Sequence, residues 1–167
     1  AGGVTGAVAG PIVGVGVDAV DVTRFRRVLD RRPNFAARCF TEGERADASC
    51  SADSVQSLAA RFAAKEAVMK ALGTGIGAFA LTDVEVCRTG GTDATRNAPY
   101  VVLTGKAAEL AWAHGASRFH LSLTHTDDVA IAFVVAEQAG PAQDGAASAS
   151  ASAAVAAGAG SAACAPS

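Results

Sequence analysis

The feature that most constrains this chain is a long helical segment at residues 54–72, with the sequence SVQSLAARFAAKEAVMKAL. Almost every residue in it favours a helix, and the pattern predicts Ser54 as the N-cap and Gly73 as the C-terminal stop. A helical wheel at about 100° per residue groups five apolar side chains into one stripe: Val55, Leu58, Phe62, Met69 and Leu72. Glu66 falls only about 20° beyond Val55, so a carboxylate lies at the margin of the expected buried face.

This carboxylate has two interpretations. Lys70 lies four residues further on and shares a side of the helix with Glu66, so an ion pair could support the helix by about 0.2–0.5 kcal/mol. An ionised carboxylate at a core margin also needs a cation, a donor or a metal to offset its desolvation. From the helix alone, both Lys70 and a bound metal remain open as the partner of Glu66.

A second carboxylate follows a glycine-rich strand. In PIVGVGVDAV, residues 11–20, three valines alternate with Gly14, Gly16 and Asp18, which is typical of a β-strand. The two glycines leave their face unshielded, so a neighbouring backbone or a ligand could approach closely beside Asp18. The third glycine of a dinucleotide fingerprint is missing, and the chain has no Walker-type lysine loop. Taken alone, this pattern is common in strands.

The other elements predict the fold class. Residues 21–31 have a helical pattern, and Thr41 with Glu44 forms a capping box that should open another short helix. Further strands are expected at 82–88, 100–105, 118–125 and 129–137, and a further helix is expected at 105–115. The order of strand, helices, hairpin, helix and hairpin predicts an α+β domain, with helices packed on a mostly antiparallel sheet.

The folded domain is expected at residues 12–137. Residues 1–11 are small and rich in glycine, which predicts a flexible lead-in. Residues 138–167 are low-complexity Ala/Gly/Ser sequence without large side chains. Such a tail cannot bury enough surface to offset its chain entropy, so we expect it to be disordered.

Composition excludes several classes of protein. A net charge of −2 over 167 residues does not indicate a nucleic-acid binder. The four cysteines form no C-x-x-C pair, so no zinc site is expected. No apolar run approaches about 18 residues and no signal-peptide pattern is present, so we expect no membrane segment. We expect a cytoplasmic protein with reduced thiols.

A third polar cluster is HLSLTHTD, residues 120–127. Strand alternation predicts that Phe119, Leu121 and Leu123 face the core. His125 would follow the same face, but it lies at the turn, where alternation ends. Two histidines on a strand are, taken alone, more often packed or surface residues than functional ones.

Three motifs in this order, GVGVD, RFAAKEAVMKALGTG and HLSLTHT, resemble the holo-[acyl-carrier-protein] synthases, which are small 4′-phosphopantetheinyl transferases. FTEGE at 40–44 and RFRRVL at 24–29 fit as well, and the resemblance covers about residues 12–137. It implies the 4′-phosphopantetheinyl transferase fold. It also implies transfer of 4′-phosphopantetheine from coenzyme A to a serine hydroxyl of an acyl carrier protein, which releases adenosine 3′,5′-bisphosphate and requires Mg²⁺.

The resemblance also implies site residues. Asp18 and Glu66 look like the magnesium ligands, and Lys70 resembles a catalytic lysine that contacts the coenzyme A phosphates. Nucleotide-side contacts are implied for four further residues: Arg61, Lys65, His125 and Thr126. The chemistry agrees, because Mg²⁺ typically takes one or two carboxylates together with phosphate oxygens and water. Glu66, directly or through a metal-bound water, is the best-placed base for the attacking serine.

The basic segment RFRRVLDRR, residues 24–32, has two interpretations. A run of charges is usually a solvated helix face, but acyl carrier proteins are acidic and dock on the corresponding helix in the family. We therefore expect Arg24, Arg26 and Arg27 to bind the carrier protein. Small members of the family are trimers with interfacial sites, so His125 could serve a neighbouring subunit.

Two features depart from the family pattern. The segment GGTDATRNAP, residues 90–99, is longer than the compact turn common in the family, and the C-terminal tail has no counterpart. A second hypothesis, independent of these departures, is a non-catalytic module that binds coenzyme A or a carrier protein. A third is a trimerisation module of a fatty-acid or polyketide megasynthase. The sequence leaves open whether the carrier protein belongs to fatty acid or polyketide synthesis.

Overall fold

A computed structural model of the chain describes residues 11–89 and 98–138. Its elements in chain order are β1 (Ile12–Asp21), α1 (Val22–Arg31), α2 (Phe35–Cys39), α3 (Glu42–Ser49), α4 (Ser54–Ala71), β2 (Val84–Arg88), β3 (Pro99–Leu103), α5 (Gly105–Ala113), β4 (Arg118–His125) and β5 (Val129–Glu137). A 3₁₀ turn, Leu81–Asp83, precedes β2.

The strands form two antiparallel sheets. The larger has the order β1-β5-β4, and the smaller pairs β2 with β3. Asp18 is opposite Ala132 on β5, and Ala132 is opposite Leu123 on β4, so these residues form one row across the larger sheet. The α+β prediction is confirmed, with the difference that the strands divide into two sheets.

The inner face of the larger sheet lies directly against α4, and two glycines of β1 permit this contact. A Cβ atom on Gly14 would lie 1.8 Å from the carbonyl oxygen of Ala71, and one on Gly16 would lie 1.9 Å from that of Ala67. Only glycine allows two backbones to approach this closely. The predicted close approach beside Asp18 is therefore made by the backbone of α4.

Helix α4 is buried on almost all sides, which corrects the expectation of a single apolar stripe. Between Arg61 and Ala71, only Phe62, Glu66 and Lys70 are not buried. Both sheets and the helices α1 and α3 pack around α4, so alanines outside the predicted stripe are buried as well. The three more open positions are four residues apart and form one narrow strip along the helix.

The ends of the helices follow local rules with one exception. Gly73 and Gly115 have φ angles of 63° and 72°, and they end α4 and α5 as predicted for left-handed glycines. The N-cap of α4 is Asp53 and not Ser54, because the carboxylate of Asp53 accepts bonds from two backbone amides of the first turn. The short helix α2 has no counterpart in the prediction.

Several predictions fall outside the described residues. Apart from Pro11 and Gln138, the lead-in and the tail lie there, and so do residues 90–97 of the long hairpin loop. In the part of the chain that the structure covers, no helix is long and apolar enough to cross a membrane.

The contact between β1 and α4 can be tested with a single methyl group. We expect Gly16→Ala to lower the free energy of unfolding by about 1–3 kcal/mol or more, because the added carbon must displace backbone. Urea denaturation would measure this. Gly75→Ala is the matched control, since a Cβ there meets nothing within 4 Å. Equal stability of the two variants would contradict the proposed packing.

Candidate active site

An open cavity of about 980 Å³ lies between α1 and α4. The carboxylates Asp18 and Glu66 both line it, together with Arg24 and Arg27 of α1. The cavity thus combines an acidic pair with a basic wall. The structure therefore brings the two predicted metal ligands together, although they are far apart in the sequence.

Lys70 pairs with Asp18 and not with its helical neighbour Glu66. Its Nζ lies 2.8 Å from Oδ1 of Asp18 and also donates to the carbonyl oxygen of Val17 at 2.8 Å. The i,i+4 spacing made Glu66 a candidate partner, but the close packing of β1 on α4 brings Asp18 nearer. Among the described residues, the carboxylate of Glu66 has no hydrogen-bond or ion-pair partner.

The electrostatics of Glu66 follow from this arrangement. Burial raises the pKa of Glu66, the charge of Asp18 raises it further, and Lys70 acts in the opposite direction. Two carboxylates that repel each other at a half-buried site are stabilised by a shared cation. Within the residues that the structure covers, no third histidine, cysteine or carboxylate completes a metal cluster.

This donor set fits Mg²⁺. Magnesium is usually held by one or two carboxylates, with waters and substrate phosphates in the remaining positions. Asp18 and Glu66 supply two oxygen donors from two separate elements, and the open cavity leaves room for phosphate and water. A tight zinc site would instead require about four protein ligands.

Lys65 has a different environment from the one expected. Its side chain is fully buried, and its Nζ donates to Oε2 of Glu44 at 2.7 Å and to the carbonyl oxygens of Leu81 and Val84. Oε1 of Glu44 in turn accepts the amide of Val86 at 2.9 Å. Because all three ammonium hydrogens are used, the structure does not support the expected contact between Lys65 and coenzyme A.

The buried pair fixes α4 rather than binding a ligand. Glu44 also completes the predicted capping box with Thr41 at the start of α3, so the pair joins α3, α4 and β2. Burial lowers the pKa of Lys65, and the Glu44 carboxylate opposes that effect. Loss of one partner would leave an uncompensated buried charge, which typically costs about 3–5 kcal/mol.

Arg61 is almost as deeply buried and does not line the cavity. Its guanidinium donates to the backbone and hydroxyl oxygens of Ser57, and it lies 3.6 Å from the carboxylate of Asp47. Burial lowers the pKa of Arg61. In the described part of the chain, its Nε has no partner, so one donor remains that is not bound to protein.

His125 and Thr126 lie away from the acidic pair. His125 is opposite Ala130, and Ala130 is opposite Val20, which places the histidine two strands away from β1. Neither His125 nor Thr126 lines the cavity of Asp18 and Glu66. The predicted alternation of β4 is confirmed, with His120, Ser122 and Thr124 exposed on the outer face.

The basic helix divides its arginines between two sides. Arg24, Arg27 and Arg31 are spaced by three and four residues and all line the cavity. Arg26 does not line it and forms an ion pair with Asp53 at 2.9 Å. The structure thus separates Arg26 from the other two predicted docking residues and adds Arg31 to them.

The sequence interpretation missed the apolar floor of the cavity. Phe62 lies between Phe25 and Phe35, with ring centroids 5.4 Å and 5.9 Å away. Ile76 borders the same cavity and is 87% exposed. Phe25 is the single phenylalanine of the arginine-rich helix α1, and it could have indicated an apolar surface beside the arginines. Helix α2, which carries Phe35, was not predicted.

The sequence profile of the 4′-phosphopantetheinyl transferase superfamily matches residues 14–134. Among curated proteins, a holo-[acyl-carrier-protein] synthase of Salinispora arenicola is 47% identical over 127 residues, which cover 76% of this chain and 99% of that protein. One from Micrococcus luteus is 47% identical over 135 residues, with 81% and 99% covered.

Solved structures give the same result. A holo-[acyl-carrier-protein] synthase from Neisseria meningitidis superposes with a TM-score of 0.66 at 35% identity, and 77% of this chain and 100% of that chain are covered. The synthase of Bacillus anthracis, solved in complex with coenzyme A (3′,5′-ADP), gives a TM-score of 0.62 at 34% identity, with 77% and 98% covered.

Proposed function

This chain belongs to the 4′-phosphopantetheinyl transferase superfamily, and from that premise we propose how its own residues perform the reaction. The chain transfers 4′-phosphopantetheine from coenzyme A to a serine hydroxyl of an acyl carrier protein. The observation that carries the proposed mechanism is that Asp18 and Glu66 line one cavity whose other wall is basic.

We propose that Asp18 and Glu66 hold the Mg²⁺ required for transfer. The carboxylate of Glu66 has no partner among the described residues, and burial together with repulsion from Asp18 raises its pKa; both observations support a cation at this position. Bound there, the metal would neutralise charge on the coenzyme A pyrophosphate. The ammonium group of Lys70 donates one hydrogen bond to Asp18 and one to the carbonyl oxygen of Val17. Its third hydrogen remains for a phosphate oxygen.

Glu66 also has the character of a general base. Its carboxylate has no hydrogen-bond or ion-pair partner among the described residues and borders the open cavity, so it is free to accept a proton, and base catalysis contributes about 10²–10⁴-fold. In the proposed mechanism, Glu66 takes the proton from the attacking serine, directly or through a water. Its position on a helix that is packed on almost all sides holds the carboxylate in place.

The transfer assignment can be tested by mass. Wild-type protein with coenzyme A, Mg²⁺ and apo carrier protein should add one phosphopantetheine arm to the carrier. Glu66→Gln should lower the rate about 100-fold or more, because it loses both a metal ligand and a base. Glu109→Gln, at an exposed pair on α5, is the matched control.

Two outcomes would contradict this assignment. If wild-type protein bound coenzyme A without changing the mass of any carrier protein, the chain would be a non-catalytic binding module. If Glu66→Gln transferred at a near-wild-type rate with Mg²⁺ present, Glu66 would be neither metal ligand nor base.

We propose that the cavity wall formed by α1 binds the acidic carrier protein. Arg24, Arg27 and Arg31 all line the cavity. The same cavity is lined by the apolar side chains of Phe25, Phe35 and Phe62 and by the exposed Ile76. A charged rim around apolar contacts is typical of protein interfaces. Complementary charge would speed association and make it sensitive to salt.

Two matched substitutions test this docking surface. Arg24→Gln should raise the apparent KM for carrier protein about fivefold or more, the equivalent of about 1 kcal/mol, and salt should reduce the difference. Arg26→Gln should leave that KM unchanged, because Arg26 pairs with Asp53 outside the cavity. Steady-state assays at two salt concentrations would measure both, and equal effects of the two variants would contradict the proposal.

We propose that the chain assembles as a homotrimer with sites between subunits. The outer face of the larger sheet exposes Val15, Val17 and Phe133 at 51%, 53% and 44%. A sheet face this apolar is usually covered. His125 lies two strands from β1 and does not line the cavity of Asp18 and Glu66, which also supports an interfacial site, since a neighbouring subunit could supply that histidine.

Sedimentation equilibrium tests the assembly. Wild-type protein should sediment as a trimer, and Phe133→Asp should dissociate it and lower transfer. Trp112→Asp should do neither, because Trp112 is 84% exposed on α5, which is not part of the larger sheet. A monomeric wild type with full activity would contradict both the trimer and the shared site.

The domain limits and the location of the protein remain predictions. We propose residues 12–137 as the transferase domain. A cytoplasmic location is proposed from cysteine usage, since Cys39, Cys50 and Cys87 are free thiols, as expected in a reducing compartment.

A further inference from the structure

The turn between β4 and β5 is held by a side chain of the long helix. Nε2 of Gln56 donates to the carbonyl oxygen of Thr126 at 2.8 Å. These two residues are 70 positions apart in the sequence, and no helical or strand ladder joins them. The contact therefore sets where this turn lies relative to α4.

Gln56 is itself fixed at its backbone. The backbone N–H of Gln56 donates to Oδ1 of Asp53, the N-cap residue of α4, at 3.0 Å. The other carboxylate oxygen of Asp53 accepts from Arg26 at 2.9 Å. The capped end of α4 therefore holds Gln56 so that its side-chain amide reaches the turn.

The turn has separate bonds that let it form without Gln56. The amide of Thr126 donates to the carbonyl oxygen of Val129 at 2.8 Å, and the amide of Val129 donates to Oγ1 of Thr126 at 3.2 Å. The carbonyl oxygen of Asp128 also accepts the amide of Val22 at 2.8 Å. Loss of the Gln56 bond should therefore change the position and mobility of an exposed turn, and leave the fold intact.

We propose that Gln56 is a positioning residue for coenzyme A, which acts by holding the His125–Thr126 turn in its binding position. This inference rests on the proposed function and on the nucleotide-side contacts that the family resemblance implies for His125 and Thr126. Gln56 touches neither the acidic pair nor the α1 wall of the cavity. Its effect is therefore confined to coenzyme A binding and spares both the chemical step and carrier-protein docking.

The test is Gln56→Met, which keeps the length of the side chain and removes the donor. The KM for coenzyme A should rise about 3–10-fold, the range expected for loss of one neutral hydrogen bond. The kcat and the KM for carrier protein should not change. Calorimetry should show weaker binding of adenosine 3′,5′-bisphosphate by a similar factor, and hydrogen exchange at residues 126–129 should be faster.

Gln138→Met is the matched control, because Gln138 is exposed at the far end of β5, and it should leave every parameter unchanged. Gln56→Lys retains a donor and should keep the KM for coenzyme A at or below the wild-type value. An unchanged KM in Gln56→Met would overturn the inference. So would an unfolded Gln56→Met variant, or a parallel loss of kcat and both KM values. Wild-type protein without transfer activity would instead overturn the proposed function.

Discussion

The backbone contact between β1 and α4 is the constraint on which the site depends. Gly14 and Gly16 let the strand lie against the carbonyl groups of the helix, where any side chain would collide. The following residue on that face is Asp18, so the same contact delivers a carboxylate to the side of Glu66 and Lys70. The valines between the glycines then point outward, which makes the opposite face of the sheet apolar. One packing requirement thus generates both the acidic pair and the proposed subunit interface.

A second constraint fixes the rotation of α4. Lys65 and Glu66 are neighbours in the sequence but lie about 100° apart around the helix, and their environments differ completely. The buried bond from Lys65 to Glu44 joins the helix to α3 and β2. Since an unpaired charge at that position would be strongly destabilising, the helix cannot easily rotate. Glu66 is therefore held toward the open strip, where a half-buried carboxylate is available for a metal or a proton.

Local rules made much of this predictable. The alternation in β1 and β4, the capping box at Thr41 and the terminal glycines of α4 and α5 depend on neighbours within a few residues. These patterns alone predicted the α+β class and most element limits. The reaction was not predicted by these local rules: it was implied by the resemblance of three ordered motifs to the holo-[acyl-carrier-protein] synthases, which also pointed to Asp18, Glu66 and Lys70 as site residues.

The contact partners and the burial of individual side chains could not be predicted from local patterns. The sequence by itself determined most of the elements, with α2 as the exception, and the charged residue types of the site. Only the tertiary structure decided that Lys70 pairs with Asp18, that Lys65 is sealed in the core, and that Arg26 faces away from the cavity. Spacing along a helix reports neighbours on that helix, whereas Lys70 and Asp18 are 52 residues apart. Their contact exists because two backbones pack at a distance that only glycine permits.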